Sequence, residues 1–432
     1  MGIIPNMVYA DKNGNIYDDP DLLMCCRKGT QWSVPAANEL IPLPEESELM
    51  FLQDRQAVGL NNNGQLIITE NYAVGAFAAP GFTLSSHPLY QTQPEAELLP
   101  LFAYGAVGYA AGRFWICAKK VDKDRRQQFK NIKISKFGKM GDQLTRKFPR
   151  NRLLQHIIHN CAFRYSCPAA KNFILGRYEA PLPTSRTCNA RCLGCISSKS
   201  KDSPVVATPQ CRLAFTPTVA EIVEIMQIHS QREKKLPILS FGQGCEGDPL
   251  INAELLAESI AQFRNWQKKN LNYGVTINCN TNASMPDGIA LLARAGLSSI
   301  RVSLNSSLHD LYHEYYRPVN YAFGNVEEGI CSARDCGLHI SLNLLYFPGI
   351  TDTEEELHSL GKLITRYRVN MIQWRNLNID PDWYNKVMAN HTSNFLPSGG
   401  MGLNLFMKRL KKMCAWLNYG YFNPYIGDKF TS

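Results

Sequence analysis

Residues 184–197 read Thr-Ser-Arg-Thr-Cys188-Asn-Ala-Arg-Cys192-Leu-Gly-Cys195-Ile-Ser, a stretch in which three cysteines follow the spacing C-x3-C-x2-C. Three thiols so close together in sequence indicate a metal site. A structural zinc ion normally takes four protein ligands, usually as two separated pairs, whereas a cubane iron–sulfur cluster can be held by three cysteines with one iron left open. The spacing favours a cluster, and a structural metal knuckle or three buried thiols stay open as alternatives.

The composition is that of a globular protein with room for two domains. The chain has 432 residues, of which 45% are hydrophobic and 19% are charged, enough for a substantial core. Its start has no basic region leading into an apolar segment, and the longest apolar run, residues 73–82, is interrupted by glycine and proline and too short to cross a bilayer. We therefore expect a cytoplasmic protein without a membrane partner. Its fourteen cysteines are expected to be reduced thiols or metal ligands rather than disulfides.

The positive charge of the chain is concentrated in one segment. The formal net charge is +9, and residues 119–152 hold thirteen Lys and Arg against three Asp, a net +10. The lysines of this basic segment alternate with apolar residues, which predicts a half-exposed strand or ribbon through Phe129, Ile132, Ile134 and Phe137. The segment is either a solvated face or a surface that binds a polyanion such as nucleic acid.

The N-terminal part of the chain reads as short strands separated by tight turns. We predict a β-rich or mixed α+β accessory domain over residues 1–150, which includes the basic segment. A helical connector is expected to follow over residues 151–176. Glycine- and asparagine-rich turns flank the candidate strands of the accessory domain at 7–10, 65–69 and 113–118.

The predicted connector carries a second set of candidate metal ligands. His156, His159, Cys161 and Cys167 have the composition of a zinc site or of part of an auxiliary cluster. On a helix His156 and His159 share a face, whereas Cys161 is turned away from them. Cys161 and Cys167 are therefore either ligands of a second metal or small buried hydrophobic residues.

From residue 177 onward, short extended segments alternate with helical stretches. Helix-start signals such as Thr218-x-x-Glu221 support this alternation. Repeated β-α units in one sheet require parallel strands joined by right-handed crossovers. Residues 177–385 are therefore predicted to form an α/β core, an open partial (β/α)6 barrel of TIM type. The six predicted strands end near Ser185, Gly242, Thr281, Ser306, Phe347 and Asn378.

Two further expectations concern the ends of this barrel. Pro181 and Pro183 lie in the first strand and cannot donate to a ladder, which predicts that this strand is at an edge of the sheet. Residues 386–432 leave the alternation and are predicted to be a C-terminal extension. Within it, Leu403 to Asn418 is predicted to be a basic amphipathic helix.

The predicted strands end in polar residues, on the side where barrels of this kind carry their chemistry. Active sites of β/α barrels lie at the carboxyl ends of the strands. The second strand is followed by a glycine-rich turn, Gly242-Gln-Gly-Cys-Glu246-Gly247-Asp248-Pro-Leu250, whose carbonyls and carboxylates suit an ammonium ligand. Polar residues also end the third, fourth and fifth strands, namely Asn280, Thr281, Asn282, Ser303, Asn305 and Asn343.

The cysteine spacing, the acidic turn and the polar strand ends together resemble the radical S-adenosylmethionine (radical SAM) superfamily over roughly residues 177–385. The resemblance implies a [4Fe-4S] cluster on Cys188, Cys192 and Cys195, which form the catalytic centre. The open iron of such a cluster binds the amino and carboxylate groups of S-adenosylmethionine (SAM).

The same resemblance assigns the contacts to SAM. The turn that contains Gly247 is similar to the glycine-glutamate-proline motif of the family, which receives the methionyl amino group. Either Glu246 or Asp248 is placed to take that ammonium. Thr281 and Asn282 match the third-strand turn of the family. Ser303, Asn305 and Arg317 match the polar positions that contact the ribose and the methionyl carboxylate.

By this resemblance the protein is an enzyme that cleaves SAM reductively to methionine and a 5′-deoxyadenosyl radical, which abstracts hydrogen from a substrate. A low-potential electron donor of flavodoxin or ferredoxin type is implied, and peptide, protein and RNA substrates all stay open. Arg186 and Arg191 flank the cysteines, where a cation either favours the reduced cluster or points to solvent. Gly194 departs from the family, which usually has an aromatic residue there, beside the adenine.

A function of another class also fits part of the sequence. A non-catalytic iron–sulfur or zinc protein that binds nucleic acid through residues 119–152 explains the charge. It leaves the polar strand ends unexplained. The two hypotheses are separable, because nucleic-acid binding through phosphate contacts weakens steeply with salt, whereas a radical SAM enzyme consumes SAM.

Overall fold

Antiparallel strands dominate the N-terminal part of the chain. The computed structural model describes residues 4–124, 126, 134–199, 204–205, 208–391 and 400–427. The N-terminal strands are β1 (Asn6–Ala10), β2 (Ile16–Met24), β3 (Cys26–Lys28), β4 (Gln31–Ser33), β5 (Leu40–Pro42), β6 (Glu48–Leu60), β7 (Leu66–Phe77), β8 (Phe82–Leu84), β9 (His87–Pro88), β10 (Tyr90–Thr92), β11 (Gly105–Ala110) and β12 (Arg113–Lys120). A nine-stranded sheet has the order β10-β6-β2-β1-β7-β11-β12-β5, with β8 beside β12, and β4-β3-β9 form a second sheet. The region is sheet-rich, as expected.

The basic segment contains a helix, so the predicted strand or ribbon is wrong there. Helix α1 spans Ile134–Lys147. Phe137 and Leu144 are seven residues apart, and both pack against the main core. Seven residues make two turns of a helix, so both side chains lie on one helical face, whereas in a strand they would point to opposite faces. Two residues of that prediction, Phe129 and Ile132, lie outside the described residues.

The helix predicted after Asn151 is present in pieces. Helix α2 spans Arg152–His156, and the Asn151 side chain caps it by accepting a hydrogen bond from the backbone N–H of Leu154. A π-helical segment, Ile157–Arg164, continues it. Helix α3 (Pro168–Leu175) then leads to the barrel.

Seven parallel strands and the helices between them form the rest of the fold, a mixed α/β architecture with a partial TIM-like barrel. The strands are β13 (Glu179–Leu182), β14 (Ile238–Phe241), β15 (Thr276–Thr281), β16 (Ser299–Leu304), β17 (His339–Tyr346), β18 (Met371–Asn376) and β19 (Asn418–Gly420). They pair in sequence order. The helices are α4 (Val219–Arg232), α5 (Ala253–Asn270), α6 (Pro286–Ala295), α7 (His309–Tyr316), α8 (Phe323–Asp335), α9 (Glu354–Tyr367), α10 (Pro381–His391) and α11 (Leu403–Met413). No helix in the described ranges combines the length and the hydropathy needed to cross a membrane.

The barrel has one strand more than the six predicted. Residues Asn418–Gly420 pair in parallel with β18, although the C-terminal extension was expected to lie outside the alternation. The helix predicted to reach Asn418 ends at Met413, which leaves the next residues free to extend. Strand β13 lies at the edge of the sheet, as Pro181 predicts.

The N-terminal sheet packs against the end of β18. Arg55 of β6 and Asp380 form a buried ion pair, with 3.0 Å between Nη2 and Oδ2. The backbone N–H of Leu84 donates to Oδ1 of Asn376 at 2.8 Å, and Nδ2 of Asn376 donates to the carbonyl of Phe82 at 3.2 Å. These contacts fix the residues that follow β18, which form one wall of the site described next.

Candidate active site

A cavity of about 260 Å³ opens at the carboxyl ends of the barrel strands. Asn305 and Arg317 are not among its lining residues, whereas the other nine predicted site residues are. These nine are Cys188, Cys192, Cys195, Glu246, Gly247, Asp248, Thr281, Asn282 and Ser303.

The two residues that do not line the cavity have structural contacts elsewhere. Asn305 is buried, and its Nδ2 donates to the carbonyl of Leu311 at 2.9 Å and to the hydroxyl of Tyr384 at 3.2 Å. Arg317 follows helix α7 with a left-handed backbone, φ 45°. Its carbonyl accepts a hydrogen bond from the N–H of Arg191 in the cysteine loop at 3.3 Å.

The cysteine loop is held by the end of helix α7. The backbone N–H groups of Leu193 and Arg191 donate to the carbonyls of Tyr315 and Tyr316, each at 2.9 Å. Carbonyls at a helix end have no partner within the helix, so the loop satisfies them. The position of the three thiols is therefore fixed by main-chain contacts to α7.

Gly194 has no room for a side chain. A Cβ atom at this position would lie 2.9 Å from the hydroxyl of Tyr315 and 3.2 Å from the carbonyl oxygen of Asn378. The aromatic side chain expected here from the family is absent from the loop, and Tyr315 brings an aromatic ring to the cavity from α7 instead.

The three thiols of the loop are half-buried and suit a cluster better than a single ion. Burial, followed by the neighbouring thiols, raises the pKa of Cys192 well above its ordinary value. Across the part of the chain that the structure describes, no three His, Cys, Asp or Glu side chains are grouped closely enough to hold one metal ion. Three cysteines are the number of protein ligands that a cubane with one open iron takes, so this donor set fits a cluster.

The guanidinium of Arg212 lies beside one of these thiols. Its Nη2 is 3.8 Å from Sγ of Cys195, its Nε donates to Oγ of Ser197 at 3.1 Å, and its Nη1 donates to the carbonyl of Arg186 at 3.4 Å. The sequence left open whether Arg186 and Arg191 lie near the cluster or point to solvent, and both of these side chains are exposed. The cation in contact with a cysteine sulfur comes instead from outside the loop.

Both carboxylate oxygens of Glu246 are occupied by backbone donors. Oε2 accepts from the N–H groups of Thr184 and Ser185 at 2.6 and 2.7 Å, and Oε1 accepts from those of Gly242 and Gln243 at 2.9 and 3.0 Å. Burial raises the pKa of Glu246 to about 7, against the lowering effect of these N–H groups. The side chain ties the turn after β14 to the segment after β13.

Asp248 receives fewer donors than Glu246. Its Oδ2 accepts from the N–H of Asn282 at 2.7 Å and its Oδ1 from the N–H of Leu250 at 3.0 Å. The single hydroxyl of Thr281 lies 2.8 and 3.0 Å from the two oxygens. Because a carboxylate offers about four lone-pair sites, three donors leave one acceptor site on a side chain that lines the cavity.

The acidic turn and the third-strand turn also contact the cysteine loop directly. The N–H of Gly247 donates to the carbonyl of Ser185 at 2.9 Å, and a Cβ at this glycine would lie 1.7 Å from the carbonyl oxygen of Thr187. Nδ2 of Asn282 donates to Oδ1 of Asn189 at 2.7 Å. Only glycine permits this close approach, so the glycine of the motif is required by the packing of two loops.

Three lining residues escaped the sequence reasoning: Arg212, Tyr315 and Asn378. Asn378 follows the sixth predicted strand, and the rule of polar strand ends would have included it. Tyr315 belongs to an aromatic run on a helix, which reads as core. Nothing in the sequence links Arg212 to Cys195, since only the fold brings them together.

The predicted second metal site is not assembled in the described residues. His156 and His159 hydrogen-bond to neighbours on their own helical segment. Cys161 is part of the main core, with Cys167 packed against it. No ligand group of three or more is found there or elsewhere in those ranges. The Cys161 thiol also lies against the thiol of Cys245, and a second metal at Cys161 and Cys167 is not supported.

Several charges of the basic segment already have partners among the described residues. Lys119 donates to Oδ1 of Asn404 at 2.7 Å. Arg126 is 6% exposed and donates to Asp124 at 2.7 Å. Arg152 pairs with Glu221 at 2.8 Å.

Comparison with known protein families identifies the class to which this site belongs. Residues 182–361 match the radical SAM superfamily, within the core predicted over residues 177–385. The match covers less than half of the chain and includes the cysteine loop, the acidic turn and strand ends that line the cavity. A comparison with curated proteins gave no match.

Solved structures of radical SAM enzymes are similar to parts of the chain. Native anSMEcpe with bound AdoMet has 14% identity and a TM-score of 0.36, over 46% of this chain and 51% of that one. A radical SAM methyltransferase from Sphaerobacter thermophilus has 16% identity and a TM-score of 0.37, over 54% and 63%. SuiB of Streptococcus suis bound to the precursor peptide SuiA has 12% identity and a TM-score of 0.34, over 58% of each chain. The chain thus spans about half the length of the first of these structures.

Proposed function

We propose that this protein holds a [4Fe-4S] cluster on Cys188, Cys192 and Cys195 and binds SAM in the cavity beside it. The observation that carries the proposal is the meeting of three thiols, a carboxylate with a spare acceptor site and polar strand ends in one cavity of a radical SAM domain. The zinc alternative is less well supported, since the described residues offer no four-ligand set.

A cluster held by these three cysteines would supply one electron to the sulfonium of bound SAM, the chemistry that yields methionine and a 5′-deoxyadenosyl radical able to take hydrogen from a substrate. The residues of the chain bind and orient SAM. Asp248 offers its remaining acceptor site to the methionyl ammonium, and Glu246 holds the turn in shape. Thr281, Asn282 and Ser303 line the remaining polar wall.

Arg212 has a positioning role in this proposal. Its positive charge lies against Cys195 and favours the more negative, reduced state of the cluster by Coulomb attraction. A donor of flavodoxin or ferredoxin type delivers the electron. The contacts of Asn305 and Arg317 with SAM stay predictions, as does the choice among peptide, protein and RNA substrates.

The cluster assignment is tested by metal analysis of anaerobically purified protein. One cubane gives about four irons per chain, and a variant with alanine at Cys188, Cys192 and Cys195 is expected to lose them. A matched control carries alanine at three cysteines outside the cavity, Cys211, Cys331 and Cys336, and keeps its iron. Retention of all wild-type iron and sulfide in the first variant would show that the assignment is wrong.

A further inference from the structure

Much of the interior of the barrel is polar. Strand β16 shows the pattern, because Ile300 and Val302 pack into the core while Ser303 lines the cavity, and side chains alternate between the two faces of a strand. Barrel interiors are usually filled by bulky branched residues. Here the buried residues on the interior face include the polar Ser240, Asn278, Asn280, Ser299, Ser341 and Gln373 beside the apolar Met371.

Two arginines project from this interior face. Arg301 lies two residues before Ser303 on β16, and Arg375 lies two residues before Leu377 at the end of β18, where Ser303 and Leu377 both line the cavity. Two residues of a strand span about 7 Å. Arg301 is therefore rooted one layer of side chains below Ser303, whereas Arg375 pairs with Leu345, which itself lines the cavity.

The arginine pair has too few partners for its charge. Nη1 of Arg301 donates to the neutral Oε1 of Gln373 at 3.3 Å, and the guanidinium of Arg375 stacks 3.9 Å from the ring centroid of Tyr421. The Nε atoms of both arginines are buried and lack a hydrogen-bond partner among the described residues. No Asp or Glu in those ranges forms an ion pair with either. Burial, and then the charge of Arg375, lower the pKa of Arg301 to about 9.

The nearest acid to Arg301 is already engaged with other donors. Glu179 accepts hydrogen bonds from Nδ2 of Asn423 at 2.8 Å and from Nη1 of Arg126 at 3.5 Å. Asn423 also receives a bond from Gln373 at 3.1 Å, so this C-terminal residue closes the barrel below the arginines. Both arginines are partly exposed rather than fully buried, and two like charges held together in a partly desolvated site repel each other unless an anion joins them.

We propose that Arg301 and Arg375 together bind an oxyanion group of the substrate, a carboxylate or a phosphate, in the barrel below the SAM cavity. The inference rests on the proposed function, because it places the anionic end of the substrate beneath the radical formed at the cavity. The planar guanidinium fork matches both oxyanions, with two parallel hydrogen bonds. The substrate class is thus an anionic molecule or an anionic residue of a larger one.

The test measures binding of inorganic phosphate and of acetate to anaerobically purified protein, by thermal unfolding and titration calorimetry at constant ionic strength. The wild type is expected to bind one of them saturably, and the tighter one identifies the oxyanion. Arg301→Met and Arg375→Met are each expected to weaken this binding at least tenfold. Arg191→Met removes an exposed arginine of the cysteine loop and is expected to bind as the wild type does.

Stability in anion-free buffer gives a second readout. Each methionine variant removes one of two like charges, so its unfolding temperature is expected to equal or exceed that of the wild type. If a methionine variant does not fold, the Lys variants at the same positions keep the charge but lose the fork, and tenfold weaker binding is expected of them too. Wild-type protein that binds neither anion, or variants that bind it unchanged, would overturn the proposal.

The experiment also separates this inference from the proposed function. Anion binding needs neither the cluster nor SAM, so it is repeated in the variant with alanine at Cys188, Cys192 and Cys195. Binding that persists there while the wild type fails to consume SAM leaves the anion site standing and removes the proposed chemistry. If the wild type consumes SAM but binds neither anion, the proposed chemistry stands and the anion site is wrong.

Discussion

Nη2 of Arg212 lies 3.8 Å from the sulfur of Cys195, although seventeen residues separate the two in sequence. Two opposite charges about 4 Å apart attract by about 1 kcal/mol in water and by about 4 kcal/mol at the effective dielectric of a protein surface. A half-buried contact of this kind is strong enough to change the electron affinity of a cluster bound at the thiol.

Replacement of Arg212 by alanine is expected to make the reduction potential of the cluster more negative. The reduced cluster carries one more negative charge and loses its nearby cation. A tenfold change in a one-electron equilibrium corresponds to 59 mV, and a shift of about this size or larger is expected in a potentiometric titration followed by electron paramagnetic resonance.

Two control variants show whether the effect depends on the charge of Arg212. Arg212→Lys keeps the charge and is expected to restore part of the potential, whereas Arg191→Ala, at an exposed position of the same loop, is expected to leave it unchanged. Equal shifts in the Arg191 and Arg212 variants would mean that the contact with Cys195 has no special role.

The two carboxylates of the acidic turn are expected to differ in function. Asp248→Ala is expected to weaken SAM binding at least tenfold with the cluster intact, because a hydrogen bond to a charged group contributes about 1.5–3 kcal/mol. Glu246→Gln is expected mainly to lower the unfolding temperature, since its amide group faces backbone N–H donors. Calorimetric titration with SAM and thermal unfolding measure the two effects. Normal SAM binding in the Asp248 variant, together with weakened SAM binding in the Glu246 variant, would mean that Glu246 and not Asp248 binds the ammonium.

The buried ion pair between Arg55 and Asp380 is expected to stabilise the junction of the N-terminal sheet and the barrel. Asp380→Ala leaves Arg55 buried without its partner, which costs about 3–5 kcal/mol in the free energy of unfolding. The surface pair of Arg334 and Asp335 provides the control, since Asp335→Ala is expected to change stability little. A similar small change in both variants, measured by denaturant titration, would show that the junction does not depend on this pair.

Local patterns allowed much of this fold and site to be predicted from sequence. The cysteine spacing and the polar ends of parallel strands are read from neighbouring residues, and the fold places them together because all carboxyl ends of a parallel sheet lie on one side. Thr218 shows the same for a helix start, since its side chain accepts from the N–H of Glu221 as the capping pattern predicts.

Contacts between distant segments could not be predicted in this way. The seventh strand is only three residues long and is held by pairing with β18, so it has no pattern of its own. The alternation of lysine with apolar residues before Phe137 suggested a strand, but packing of one helical face against the core decided the structure of α1. The arginine pair in the barrel likewise becomes visible only when β16 and β18 enclose the same interior.

The central claim is tested most directly by chromatography of the reaction mixture after anaerobic reduction of the protein with excess SAM. Wild-type protein is expected to form 5′-deoxyadenosine and methionine in equal amounts, slowly in the absence of substrate. The variant with alanine at Cys188, Cys192 and Cys195 is expected to leave SAM intact, and the Cys211, Cys331 and Cys336 control to behave as the wild type. Intact SAM in the wild-type reaction, with the cluster present and reduced, would contradict the account.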